Sequence, residues 1–138
     1  MLTFSILTLT LAKAYGLYML VTGLSGIVAP GRWNAMVVDF QDSPGLTYLT
    51  AVITFVLGLV LVGIHSFWTD PLAVVISLIG WIVLIEGLLL FAVPQGFLRL
   101  GASLVGTAGR ARAYAVFAVI LGVVLLVLGV MGRADASV

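Results

Sequence analysis

Residues 78–97 read LIGWIVLIEGLLLFAVPQGF and place one carboxylate, that of Glu86, in a stretch otherwise apolar enough to cross a bilayer. Shifted back by 64 residues, this stretch aligns without a gap on residues 14–33, AYGLYMLVTGLSGIVAPGRW. Glu86 then falls on Thr22, so only the second copy carries a charge at this position. The residues that coincide are Gly80 with Gly16, Gly87 with Gly23, Leu84 with Leu20, Leu88 with Leu24, and Pro94 with Pro30.

The same 64-residue shift continues beyond this segment, again without a gap. The further coincidences are Gly109 with Gly45, Val116 with Val52, Leu121 with Leu57, Gly122 with Gly58, Val124 with Val60 and Leu125 with Leu61. A shared spacing over this length is typical of an internal repeat. We therefore predict a single membrane domain over 1–138, with repeat 1 at about 1–66 and repeat 2 at about 67–138.

The composition is that of an integral membrane protein. Apolar residues make up 63% of the 138 residues and charged residues only 8%, whereas about 25% of residues in a typical soluble domain are charged. The net charge is +1 and the charges are scattered, which leaves no basic surface for nucleic acid. Because the chain has no cysteine and one histidine, we expect neither a metal site nor a cofactor.

Four apolar segments are long enough to span a bilayer, and they lie at 5–29, 45–67, 71–93 and 113–131. Proline followed closely by glycine ends the first and third segments, since these residues do not continue a helix well. Asp70 followed by Pro71 is typical of an N-cap with proline at the first helical position. The predicted fold is all-α, an integral membrane four-helix bundle of two tandem helical hairpins in the same orientation.

The linkers within the hairpins, at 30–45 and 94–112, carry a second repeated pattern. Apolar residues spaced i, i+3 and i+7 form one face of a short helix in each linker. These residues are Trp33, Met36 and Phe40 in the first linker and Phe97, Leu100 and Leu104 in the second. We expect amphipathic helices at the membrane surface, with an ordinary polar loop as the alternative. The residues assigned to the interface are Trp33, Phe40, Trp68 and Phe97.

Basic residues favour a cytoplasmic position for both linkers. Those near the linkers are Arg32, Arg99, Arg110 and Arg112, against Lys13 and Arg133 on the side of the termini. The positive-inside rule then places both termini outside. The expected location is the inner cell membrane.

Glycines spaced seven residues apart occur in three of the four spans. The pairs are Gly16 with Gly23, Gly80 with Gly87, and Gly122 with Gly129. Seven residues are close to two turns, so each pair stays on one helix face. Helices in lipid associate by close packing of small residues, and we expect spans one and three to meet through these faces. The alternative is that glycine is simply common in membrane helices.

Glu86 lies eight residues before Pro94 and therefore roughly 12 Å inside that end of its span. A carboxylate at this depth is costly and usually faces a partner, a cavity or water. Thr22 and Thr54 are expected at the same depth, and Tyr18 lies one turn from Thr22. Three roles remain open: a structural anchor satisfied by these hydroxyls or a neighbouring subunit, a proton or cation relay, and a ligand contact.

No set of residues typical of catalysis is present. The chain has no Ser-His-acid arrangement, no phosphate-binding glycine loop and no paired carboxylates on one face. Asp39 and Asp42 are predicted on the membrane face opposite to His65 and Asp70, so these residues cannot share a metal ion. We therefore do not expect an enzyme.

The leading hypothesis is a small membrane protein that acts through helix packing, as a homo-oligomer or as an accessory subunit of a larger membrane complex. Its expected partners are the lipid bilayer and other membrane subunits or copies of itself. The alternative is a small proton- or cation-coupled transporter or channel that uses Glu86. Against transport, spans two and four carry few polar residues for a conduction path.

Overall fold

The computed structural model describes residues 3–134, and the ends of the predicted domain at 1–2 and 135–138 lie outside this range. The described residues form six helices and two short strands. The elements are β1 (Thr3–Phe4), α1 (Ile6–Val28), α2 (Gly31–Asp42), α3 (Pro44–Ile64), α4 (Pro71–Ala92), α5 (Pro94–Val105), α6 (Ala108–Met131) and β2 (Arg133–Ala134). The protein is thus all-α, apart from two strands of two residues each.

Helices α1, α3, α4 and α6 are each long and apolar enough to cross a membrane. The protein is therefore a multi-pass membrane protein. In the most apolar stretch of each of these helices, only 22–28% of the residues are buried within the chain. Most of their surface therefore faces lipid or another protein.

Side-chain caps fix where the apolar helices begin. The Asp70 carboxylate accepts a hydrogen bond from the backbone N–H of Ala73 at 2.8 Å, which confirms the predicted cap of α4. Helix α6 begins at Ala108, five residues before the predicted start. The reason is that the Thr107 hydroxyl accepts from the N–H of Arg110 at 3.2 Å, which caps an earlier turn. The charged first turns of this helix hid its start from the apolar pattern.

Both linkers are helical, and they form α2 and α5. The two short helices contact each other at the end of the molecule opposite the termini. Gly101 of α5 lies beside Val37 of α2. Pro94 is the first residue of α5, so the residue that stops α4 also starts the next helix.

The long helices pack as two antiparallel pairs. The first pair consists of α1 and α6, and the second pair consists of α3 and α4. The expectation that α1 and α4 meet through their glycines is wrong, because Gly16 lies against Leu126 of α6 and Gly87 lies against Phe55 of α3. Glycine spacing defines a smooth helix face, but it does not determine which helix fits against that face.

The two pairs meet at the end of the molecule that holds both termini. A buried cluster joins them there, which we call the junction cluster, and its members are Leu9, Ala12, Leu72, Ile76 and Leu125. At the same end, β1 and β2 pair in parallel, with Thr3 opposite Arg133 and Phe4 opposite Ala134. At the other end, a second cluster under α5 consists of Ala51, Leu90 and Leu98.

Candidate functional site

Glu86 lies on the exposed surface of α4. Its carboxylate takes part in none of the side-chain hydrogen bonds among the described residues. The neighbouring side chains Ile82 and Ile85 are also exposed, by 53% and 50%. A carboxylate in an apolar span without an internal partner is the least explained polar group of the molecule.

The three hydroxyl residues predicted to accompany Glu86 form no hydrogen bond with it among the described residues. Thr22 and Thr54 are half-buried, and Tyr18 is 71% exposed on the outer side of α1. The backbone of Thr54 lies against Gly87, so its helix contacts the residue next to Glu86. The predicted polar core is therefore not assembled within the described part of one chain, and a core completed by a neighbouring subunit stays a prediction.

Helical spacing indicates which surfaces Glu86 and Thr22 occupy. Ile79 of α4 and Tyr15 of α1 both pack against the junction cluster. Glu86 and Thr22 follow them by seven residues, which is about two turns and keeps them on the same helix faces. The junction cluster occupies only the first turns of α1 and α4. Glu86 and Thr22 therefore lie on the helix faces that contact the junction cluster, about two turns further along each helix.

Close backbone contact occurs at the predicted glycines of the first pair. A methyl group added at Gly16 would lie 2.6 Å from the backbone nitrogen of Leu126, and one at Gly122 would lie 2.6 Å from that of Leu20. Gly23 and Gly129 are similarly close to α6 and α1, with the nearest atoms at 2.7 Å. Any side chain at these positions would push the two backbones apart.

In the second pair, the seven-residue spacing predicted Gly87, which is close to the backbone of α3, and Gly80, which is less close. The spacing did not predict Gly58, which is also close to its partner helix. A methyl group at Gly87 would lie 2.5 Å from the backbone nitrogen of Phe55, whereas one at Gly80 would lie 3.4 Å from the Cβ of Leu61. Gly58, which has no glycine partner seven residues away, lies directly against the backbone of Leu84. The signal for Gly58 was its coincidence with Gly122 after the 64-residue shift.

A buried hydrogen-bond network at the terminal end was not predicted. His65, the C-cap of α3, is 1% exposed, Thr8 of α1 is 1% exposed and Ser77 of α4 is 0% exposed. His65 Nε2 lies 2.8 Å from Thr8 Oγ1, and His65 Nδ1 lies 2.9 Å from Ser77 Oγ. The signal that could have shown this network was depth along the spans. Thr8 and Ser77 lie within about two turns of the starts of α1 and α4, and His65 directly follows the end of α3. All three therefore lie at the terminal end of the molecule.

Hydrogen-bond accounting fixes the tautomer of His65. Ser77 Oγ donates its one hydrogen to the carbonyl oxygen of Phe67 at 2.9 Å, and it accepts from the Phe67 N–H at 2.9 Å. Ser77 can therefore only accept from the imidazole, so His65 Nδ1 carries a hydrogen. In the neutral ring Nε2 then accepts from Thr8, whose oxygen accepts in turn from Ser5 at 2.7 Å. Burial lowers the pKa of His65, and this outweighs the opposing effects of its backbone hydrogen bond and of Asp70.

A cavity of about 140 Å³ lies at the opposite end, between the ends of α2, α3, α4 and α5. Its walls are mainly apolar and aromatic, with amide and hydroxyl groups and no charged side chain. The lining residues are Phe40, Gln41, Pro44, Thr47, Tyr48, Leu90, Phe91, Pro94, Gln95 and Leu98. The rings of Tyr48 and Phe91 meet edge to face at 5.4 Å, and the Thr47 hydroxyl donates to the Phe40 carbonyl at 2.5 Å.

The four predicted interfacial aromatics occupy three kinds of surroundings. Trp33 packs over Gly26, where an added methyl group would lie 2.6 Å from its indole ring. Phe40 and Phe97 are half-buried against the second cluster, and Trp68 is 50% exposed in the connector before α4. Three of the four therefore also hold the short helices against the spans.

No three of the His, Asp and Glu residues in the range 3–134 are close enough to hold a metal ion together. No protein-family model, curated protein or solved structure matches the chain.

Proposed function

We propose that this protein is a non-enzymatic membrane protein of the inner cell membrane that acts by helix association. It would do so as a homo-oligomer or as an accessory subunit of a larger membrane complex. The observation that carries the proposal is Glu86, a carboxylate on the exposed surface of α4 with no hydrogen-bond partner among the described residues. A hydrogen-bond donor from another chain would remove the cost of leaving this group in hydrocarbon.

The surroundings of Glu86 support association through this surface. The exposed residues beside it, Ile82, Ile85 and Leu89, are aliphatic, so a partner helix could pack closely around the carboxylate. A bidentate or hydroxyl donor placed among them would be shielded from water. Such hydrogen bonds between membrane helices contribute about 1–2 kcal/mol.

We also propose that the architecture arose by duplication of a span–short helix–span hairpin. Two contacts support this reading. Gly58 lies against Leu84, and Gly122 lies against Leu20, which is the same contact after exchange of the two copies by 64 residues. In the proposed arrangement the copies share one orientation, α2 and α5 lie at the cytoplasmic membrane surface, and both termini lie outside.

A proton or cation relay through Glu86 is the second candidate. The position of Glu86 and Thr22 on the helix faces that meet at the junction cluster favours it, because an intramembrane carboxylate usually faces a partner, a cavity or water. The two candidates make different demands on residue 86. Association needs a hydrogen-bonding group, whereas a relay needs a group that titrates.

Two substitutions at Glu86 separate these functions. Under association, Glu86→Gln retains most of the assembly because an amide still forms hydrogen bonds, and Glu86→Leu loses it. Under a relay, Glu86→Gln abolishes proton-linked flux. Assembly is measured by native mass after gentle solubilisation, and flux is measured in proteoliposomes.

The matched control is Tyr114→Phe, which removes a hydroxyl from an exposed residue of α6 without altering α4. It should change neither assembly nor flux. A Glu86→Leu variant that assembles as well as the unaltered protein contradicts association through this surface.

A further inference from the structure

We propose that His65 is a pH-sensitive latch between the two helix pairs, closed while its imidazole is neutral and opened when the imidazole is protonated. The proposal is independent of the role of Glu86. It rests on the position of His65, which is buried between the first turns of α1 and α4 at the end of α3.

The bond between His65 and Thr8 is the one side-chain hydrogen bond within the described residues that joins the first pair to the second pair. The other tertiary bonds attach the short helices α2 and α5 to neighbouring spans, such as Arg32 to Ser25 at 3.1 Å and Arg110 to the Ser103 carbonyl at 2.9 Å. On its other side, His65 is held by Ser77 of its own pair. The imidazole therefore connects the pairs at the end where the junction cluster also joins them.

Protonation reverses the hydrogen bonding on the Thr8 side. A hydrogen on Nε2 must be donated to Thr8 Oγ1, so Thr8 can no longer donate to the ring. The Thr8 hydroxyl must then donate to Ser5 Oγ. The Ser5 hydroxyl can no longer donate to Thr8 and needs another acceptor. The Ser77 side does not change, because Nδ1 already carries a hydrogen in the neutral ring and donates it to Ser77. Opening toward water solvates the new charge and lets the displaced Ser5 hydroxyl bond to water.

Within residues 3–134, no neighbouring element places a carboxylate in hydrogen-bond contact with His65 to compensate the charge. Asp70 in the connector is the nearest acid, but its carboxylate caps α4 at the N–H of Ala73. Helix α3 has no charged residue, and the only charged residues of α4 and α1 are Glu86 and Lys13. Glu86 lies nine residues beyond Ser77, roughly 13 Å along the helix. Among the described residues, the other charged residue at this end is Arg133 of β2, whose backbone pairs with Thr3.

The direction of the pH effect follows from linkage. The pKa of folded His65 is lowered from its ordinary 6.5 by burial, so the unfolded or opened form binds the proton more tightly. The stability of the closed state is complete above pH 6.5 and declines as the pH falls from there toward the lower pKa of the closed form. The latch therefore opens on the acid side.

The absence of cysteine from the chain allows site-specific spin labels to measure this opening. Labels are placed at Ile6→Cys in α1 and Ile64→Cys in α3, both of which are exposed, and electron–electron distances are recorded in nanodiscs between pH 8 and pH 4. We expect a single short distance at high pH and a longer, broader distribution with a midpoint below 6.5. His65→Gln should abolish this pH dependence, because an amide can still accept from Thr8 but does not titrate here.

A second label pair, Leu17→Cys with Val127→Cys, lies within the first pair and should not change with pH. Because His65 is the only histidine, its ¹⁵N signals report the tautomer and the titration in the unaltered protein even if a variant fails to fold. Distances that stay constant while His65 titrates would overturn the latch. The same lengthening in His65→Gln, or an imidazole that never titrates above pH 4, would overturn it equally.

Discussion

The two helix pairs differ in how many glycines lie close to the backbone of the partner helix. Helices α3 and α4 are adjacent in the chain, joined by a connector of six residues, 65–70. Helices α1 and α6 come from opposite ends of the chain, so no short connector holds them together. The first pair has four close glycines, and the second pair has two with a third that is looser. The pair that lacks a short connector thus has the more continuous backbone contact.

The pairs also differ in where they carry polar groups. At matched positions the first pair has the hydroxyl of Thr22 and the second pair has the carboxylate of Glu86. The glycine contacts of Gly122 and Gly58 are nevertheless equivalent. Under the proposed duplication, the copies share similar packing on the faces within each pair, while the exposed surface of α4 carries a charged group that packing within the chain does not require.

The largest expected effect is a difference in stability between alanine variants at Gly16 and Gly80, which coincide after the 64-residue shift. Gly16→Ala should destabilise the protein by about 3 kcal/mol, the upper part of the range for overpacking, because the added methyl meets a backbone that cannot move aside. Gly80→Ala should be neutral or stabilise by roughly 0.5–1 kcal/mol, since its contact is ordinary and alanine favours a helix. The measurement is reversible unfolding in mixed micelles. Equal losses for both variants would show that the pairs do not differ in closeness.

A smaller effect is expected at the junction between the pairs. Ser77→Ala leaves the His65 Nδ1–H and the Phe67 N–H without their acceptor, and should cost about 2 kcal/mol for unsatisfied buried groups. Ser66→Ala is the matched control, because this exposed connector hydroxyl bonds only to the Val62 carbonyl in the last turn of α3 and should change stability by less than about 0.5 kcal/mol. The same unfolding assay compares them. A Ser77 variant as stable as the control would show that the network does not stabilise the junction.

The sequence was sufficient to predict the helices but not their pairing. Apolar runs ended by proline define α1 and α4, and Asp70 with Pro71 defines a cap. Pairing depends on which faces are complementary in three dimensions, so Gly16 gave the face of α1 without showing that α6 lies against it. Local pattern and long-range complementarity are separate properties of the chain.

Of the two polar sites, one could be predicted from the sequence and the other could not. A single carboxylate such as Glu86 is conspicuous in an apolar span, and its position could be read directly. The network of Thr8, His65 and Ser77 consists of residues that are ordinary individually and become a site only when three helices bring them together. Comparing the depth of every polar residue along its span would have placed these three at one level.

The central claim is that Glu86 marks a surface on which this chain associates with another. Native mass spectrometry of the unaltered protein, released directly from its membrane in lipid nanodiscs, tests this claim most directly. We expect a complex that contains at least one further chain, either a second copy or a different membrane subunit. A single chain of 14.5 kDa with lipid alone, at every concentration tested, would contradict it.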